Sequence, residues 1–252
     1  MNKKEKEARR HQEDQALNRG LCWAGGAIVL ELILILIKRY YFNFTNSSFE
    51  IHLAQGIQSV LRVIWIGGPL VVLAGLIWLF LSVKKQKRTA LPVILTVVVL
   101  VLSVCAHVIL MFQKNGVQML FILVPVLAGL ALVYYIYQKE FFLAALGAGL
   151  SVLGMWFIRY RDGFCLESVV VLIGILVVLA ATLSLKKKGG LLAGAAFLPK
   201  DACYKPILAS VGVGLAALLI SMIAGSAAAY YLIFLMIAWL FALLVYFTVK
   251  LM

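Results

Sequence analysis

The sequence predicts an all-α integral membrane protein, a polytopic helical bundle of about eight transmembrane helices. Three observations point there. Hydrophobic residues make up 64% of the 252-residue chain against 13% charged, with a mean hydropathy of +1.05, and such a composition cannot be folded as one buried core inside a polar shell. The charges fall in short clusters between long apolar runs, and each run approaches the ~20 residues a helix needs to cross the hydrocarbon core. The runs do not alternate in polarity, which excludes a β-barrel and leaves helices that satisfy their own backbone hydrogen bonds.

Residues 1–20 form a charged N-terminal segment, and residues 21–252 a single transmembrane helical domain. The opening stretch mixes acids and bases with almost no apolar face, so it is expected as a solvated helix or tail rather than a lipid-binding segment. It lacks the pattern of a signal peptide: no small-residue cleavage site follows the first apolar run, which is expected to remain as a signal anchor. The spans are placed at 21–37, 61–83, 90–112, 117–137, 141–158, 166–185, 207–226 and 229–249. The last two arise from one apolar stretch of about 43 residues, roughly 65 Å as a single helix and longer than any bilayer is thick. Gly225 and Ser226 are its best candidates for a break, with seven spans as the alternative. Pro125 in the fourth span is expected to kink that helix.

Lys and Arg set the orientation, because cytoplasmic loops carry their excess. One side holds Lys38, Arg39, Arg62, Lys114, Arg159 and Arg161, six of the 23 basic residues; the other side holds the rest, including Lys84, Lys85, Lys87 and Arg88, then Lys139, Lys186 to Lys188, and Lys250. The richer side is the cytoplasm, so both termini are expected there, in a plasma membrane of bacterial type. This distribution, together with attraction to anionic headgroups, accounts for the net charge of +13, and nucleic acid is not expected as a partner.

The outer loop 38–61 contains two formal glycosylation triplets, at Asn43 and Asn46, of a kind that also arises by chance. Its second half places Ile51, Ala54 and Ile57 at helical spacing, which predicts an interfacial helix leading into the second span. On the other side, residues 189–198 are apolar but too short to cross, so they are expected to lie in the interface or to dip in and return before Pro199. Lysine-rich loops and the pairs Arg39-Tyr40 and Arg159-Tyr160 recur in the two halves of the chain, a pattern compatible with a parallel duplication of four spans.

Ionisable groups at bilayer depth cost a few kcal/mol or more unless paired or neutralised. Glu31, just beyond the middle of the first span, is therefore the first candidate for substrate or ion coupling. A carboxyl there is expected in its protonated form unless it meets a cation or a wet cavity, and its bland alternative is a neutral acid bonded to a neighbouring helix. His107 is the second candidate. Cys105, His107, Cys165 and Glu167 could share the outer leaflet and are ligand types of metal sites, yet no local spacing joins them, so no metal and no cofactor is expected. The four cysteines, without a C-x-x-C, are expected to be single thiols, Cys105 and Cys165 being the one pair that could approach.

Small residues supply the packing signal. Ser210, Gly214, Ala217, Ser221, Ala224 and Ala228 recur at spacings of four and three and make one close-packing seam; Ala144, Gly147, Ala148 and Ser151 do so in the fifth span. Such seams serve the bundle interior or, alternatively, a homo-oligomer or partner subunit. Catalysis lacks parts: there is no aspartate in any span, no G-x-S-x-G, no H-E-x-x-H and no phosphate loop. The expected role is a non-catalytic accessory or permease-like subunit of a membrane complex, with the lipid bilayer as partner. The alternative is an autonomous carrier of a small solute or ion, proton-coupled through Glu31.

Overall fold

The computed structural model describes residues 3–43, 47–84, 90–161, 165–187, 189–192, 195–196, 198 and 203–250. Lys85, Lys87, Arg88, Asn46, Lys188 and Pro199, which enter the loop expectations above, lie outside the described residues. Helix dominates: α1 spans Lys3–Ile37, α2 Ser48–Lys84, α3 Ala90–Ile136, α4 Lys139–Arg161, α5 Leu166–Lys187 and α6 Tyr204–Val249. Six helical segments among the described residues are long and apolar enough to cross a bilayer. The charged opening segment continues as helix into the first apolar run. A π-helical turn, Lys38–Phe42, follows α1.

Two helices are interrupted. In α3 the backbone leaves helical dihedrals at Gln113 (φ 47°, ψ −125°), not at Pro125. In α6 it does so at Gly225 (φ 82°, ψ −166°), a region that essentially only glycine occupies without strain. Each helix is thus a pair of arms. The arms of α6 run back along each other: an added Cβ on Gly214 would lie 3.5 Å from Met236 Cε, and Pro206, Ala209, Ala242 and Tyr246 line one groove.

Between α5 and α6 two short strands, β1 Leu191–Leu192 and β2 Ala195–Ala196, pair antiparallel. Gly189 and Gly190 have φ of 59° and 89°, and the Gly190 amide donates to the Leu185 carbonyl at 2.9 Å. This left-handed glycine exit ends α5 and turns the chain into the hairpin.

The chain divides into two compact units, residues 1–23 with 128–252, and residues 24–127. The first is organised on α4, whose Ala144, Ala148, Ser151 and Ile158 are fully buried. There α6 packs against α4 at glycine distance: an added Cβ on Gly147 would meet Val211, one on Gly214 would meet Ser151, and one on Gly154 would meet Leu218. Phe141, Ala144, Ala145, Leu243 and Phe247 form one core cluster; Leu143, Leu185, Leu198 and Ile207 form another. In the second unit, α2 closes on α3 where Gly68 faces Ser103 and Gly75 faces Thr96. Helices without side chains at these points approach nearly backbone to backbone, which is how apolar helices associate when water supplies no driving force.

Candidate functional site

Two places in the molecule combine geometry with chemistry, one in each unit. The first is a junction of helix ends around Glu140. This residue stands in the first turn of α4, where the helix N-terminus favours a negative charge, and only 6% of it is exposed. Its Oε2 accepts from Lys250 Nζ at 2.7 Å, and its Oε1 accepts from the Cys203 backbone amide at 3.3 Å. Cys203 precedes α6 and Lys250 follows it, so one carboxylate holds both ends of the same helix. The pairing with Glu140 raises the Lys250 ammonium above its ordinary value, against a smaller opposing effect of burial. Around the ions, the Phe141 ring stacks edge-on with Tyr137 and Phe247 at 5.5 and 5.7 Å, and Tyr137 Oη lies 3.1 Å from Thr248 Oγ1.

Sequence reasoning passed over Glu140. The signal was available: an acid at the first turn of an apolar helix, next to the loop, is placed where the macrodipole stabilises it. Its partners lie 63 and 110 positions away, and no local pattern reports such distances.

The second place is an apolar cleft of about 490 Å³ in the unit 24–127, walled by α1, α2 and both arms of α3. Leu34, Leu61, Ala106 and Ile109 form its buried floor. Besides aliphatic side chains, Gly56, His52 and Cys105 line it.

The candidates from the sequence fall as follows. Glu31 lies in α1 with Oε1 shielded from solvent and without a hydrogen-bond partner among the described residues. His107 in α3 lies with its ring 6.1 Å from Trp65. Cys105 lines the cleft. Cys165 is buried before α5, where its Sγ donates to Ser168 Oγ at 3.2 Å. Glu167 lies 3.2 Å from the Arg161 guanidinium, and Arg159 stacks over the Tyr230 ring at 5.1 Å. All four cysteines are free thiols. Among the described residues, no group of three or more His, Cys, Asp or Glu side chains could hold a metal ion.

The small residues of α6 differ in their burial. Ser210 donates to the Ala144 carbonyl at 2.9 Å, and Gly214, Ala217 and Ser221 are buried with it. Ala224, just before the turn at Gly225, is exposed, and Ala228, beyond it, is half-buried. In α4 the complementary Ala144, Gly147, Ala148 and Ser151 are all buried.

No protein-family model, curated protein or solved structure matches this chain.

Proposed function

We propose that the protein is an integral membrane component of about eight spans with both termini in the cytoplasm, serving as a non-catalytic accessory or permease-like subunit of a membrane complex. The observation that carries the subunit reading is the unequal covering of its apolar helices. In the most hydrophobic stretch of α4, 61% is buried within the chain; in those of α1 and α2 the shares are 11% and 6%. Helices in a bilayer associate through close packing and polar contacts. A pair this sparsely packed, with Leu70, Ile77 and Phe80 of α2 exposed at 67%, 62% and 69%, has surface to offer a partner helix as well as lipid.

Support for eight spans comes from the interruptions at Gln113 and Gly225, which divide two 46- to 47-residue helices into arms of bilayer length. That both ends of α6 meet Glu140 favours two antiparallel spans there rather than one. The Lys and Arg distribution favours the end bearing Lys139 and Lys250 as cytoplasmic.

The test is isolation of the tagged protein from its native membrane in mild detergent, with bound proteins quantified against the bait. A stoichiometric membrane partner is the expected result; a monodisperse lone particle overturns the subunit reading. The carrier reading is favoured by one specific observation, the unpartnered Glu31 Oε1. It requires that Glu31→Gln change the pH dependence of solute uptake in proteoliposomes, and an unchanged profile removes it.

A further inference from the structure

We propose that the cleft of the unit 24–127 is a binding site for one acyl chain of an anionic phospholipid, whose phosphate is held by Lys38 beyond the end of the α1 wall. This inference rests on membrane insertion and goes beyond the subunit reading.

At Gly56 the wall of the cleft carries no side chain. A glycine inside a helix is unfavourable by about 0.5–1 kcal/mol relative to alanine. Gly68 and Gly75 of α2 have a packing return, since a Cβ there would collide with Ser103 or Thr96 of α3. At Gly67, as at Gly56, an added Cβ meets no atom within 4 Å; of these two, Gly56 lines the cleft. The volume, about 490 Å³, falls in the ~300–1,000 Å³ range of small-molecule sites, and the lining is hydrocarbon apart from His52 and Cys105. A polar solute would lose its hydration in such a cleft and gain few hydrogen bonds. A hydrocarbon chain has no hydrogen bonds to give up there.

Access and charge select the source of that chain. Ile33 and Val60 line the cleft while remaining 43% and 58% exposed, so it opens sideways through apolar walls, toward lipid. Its lining segment in α2, beginning at His52, is the amphipathic stretch expected at the headgroup boundary. One cation lies at the end of the α1 wall: Lys38 follows the lining Ile37, and its Nζ sits 5.4 Å from the ring of Phe121, one helical turn from the lining Val124. Arg39 is engaged by Glu50 at 3.8 Å and donates to the Asn43 carbonyl at 2.8 Å. Lys38 is exposed, leaving a positive charge that complements a phosphate.

The experiment uses the full chain in nanodiscs of phosphatidylcholine with a trace of phosphatidylglycerol carrying a photoreactive group on one acyl chain. Flotation of the reconstituted protein first establishes insertion, so that a failure of the membrane reading is distinguished from a failure of the site. After irradiation, one adduct per chain is expected, mapped to 52–64 and 102–109. Unlabelled phosphatidylglycerol is expected to compete more strongly than phosphatidylcholine. Gly56→Phe fills the cleft and should abolish the adduct, whereas Gly56→Ala should retain it. Lys38→Gln should lower the preference for the anionic lipid about fivefold, the attraction of one cation near a charged surface. Adducts scattered over the lipid-facing helices overturn the site, even if Gly56→Phe fails to fold. Equal competition by the two lipids overturns its anionic character.

Discussion

Gln113 and Gly225 carry the same task with different chemistry. Both turn the chain back within a helix, yet Gln113 has a Cβ at φ 47° and Gly225 has none at φ 82°. A non-glycine residue in a sparsely populated region of this kind is strained by about 1–3 kcal/mol. Gln113→Gly removes that strain at an exposed position and should raise unfolding stability by about 1 kcal/mol after the added freedom of the unfolded chain is deducted. Gly225→Ala should act in the opposite direction by about 1–3 kcal/mol. No atom lies within 4 Å of the added Cβ at 225, so the penalty is one of backbone conformation and not of collision. Thermal unfolding of the purified protein in detergent checks both signs, and equal shifts in one direction would refute this account of the two turns.

At the scale of elements, α4 and α6 hold the first unit together through small residues along their length and an ion pair at one end. Truncating that pair separates two contributions. Glu140→Gln keeps the size and an acceptor for the Cys203 amide but removes the charge facing Lys250. It should destabilise by about 1–2 kcal/mol, less than a fully buried pair because the lysine is 32% exposed. The pH dependence follows from the raised Lys250 value. A lysine whose ammonium is favoured in the folded protein contributes its full stabilisation below its unfolded value. That contribution is lost as pH rises through the folded value, above the ordinary 10.5. The wild type should therefore lose stability relative to Lys250→Met only in that alkaline range, with a constant difference near neutrality. Melting temperatures of the two proteins across pH 7 to about 11.5 test this.

At the scale of the whole molecule, two compact units differ in how much apolar surface they keep inside, and the less covered helices, α1 and α2, extend into or lie within the unit 24–127. Cysteine labelling tests the proposed topology in intact cells. In a background with Cys22, Cys105, Cys165 and Cys203 replaced by serine, single cysteines at Gln138 and Thr248 should be shielded from a membrane-impermeant maleimide, and those at Lys114 and Ser226 should react. Reaction at all four, or at Thr248 together with Ser226, would contradict two antiparallel spans in α6.

Much of the helical architecture was legible from local properties. Apolar runs without alternation specify helices because a backbone in an apolar medium must satisfy its own hydrogen bonds. The reversal at Gly225 falls where a 43-residue apolar stretch predicts a break, and Gln113 falls in the gap predicted between 112 and 117. The amphipathic stretch before the second span is likewise helical, as the first part of α2, and Ser210, Gly214, Ala217 and Ser221 are buried.

What sequence by itself determined, then, is the helical class, the apolar lengths and the points where helices are interrupted, all of which depend on residues close in the chain. Only the tertiary structure decided that Glu140 receives both ends of α6, that Ala224 is exposed while Ser221 is buried, and that Gly56 lines a cleft while Gly68 and Gly75 close a contact. The physical reason is that a glycine or a carboxylate reads the same in every helix until a neighbour distant in sequence fills, or fails to fill, the space beside it.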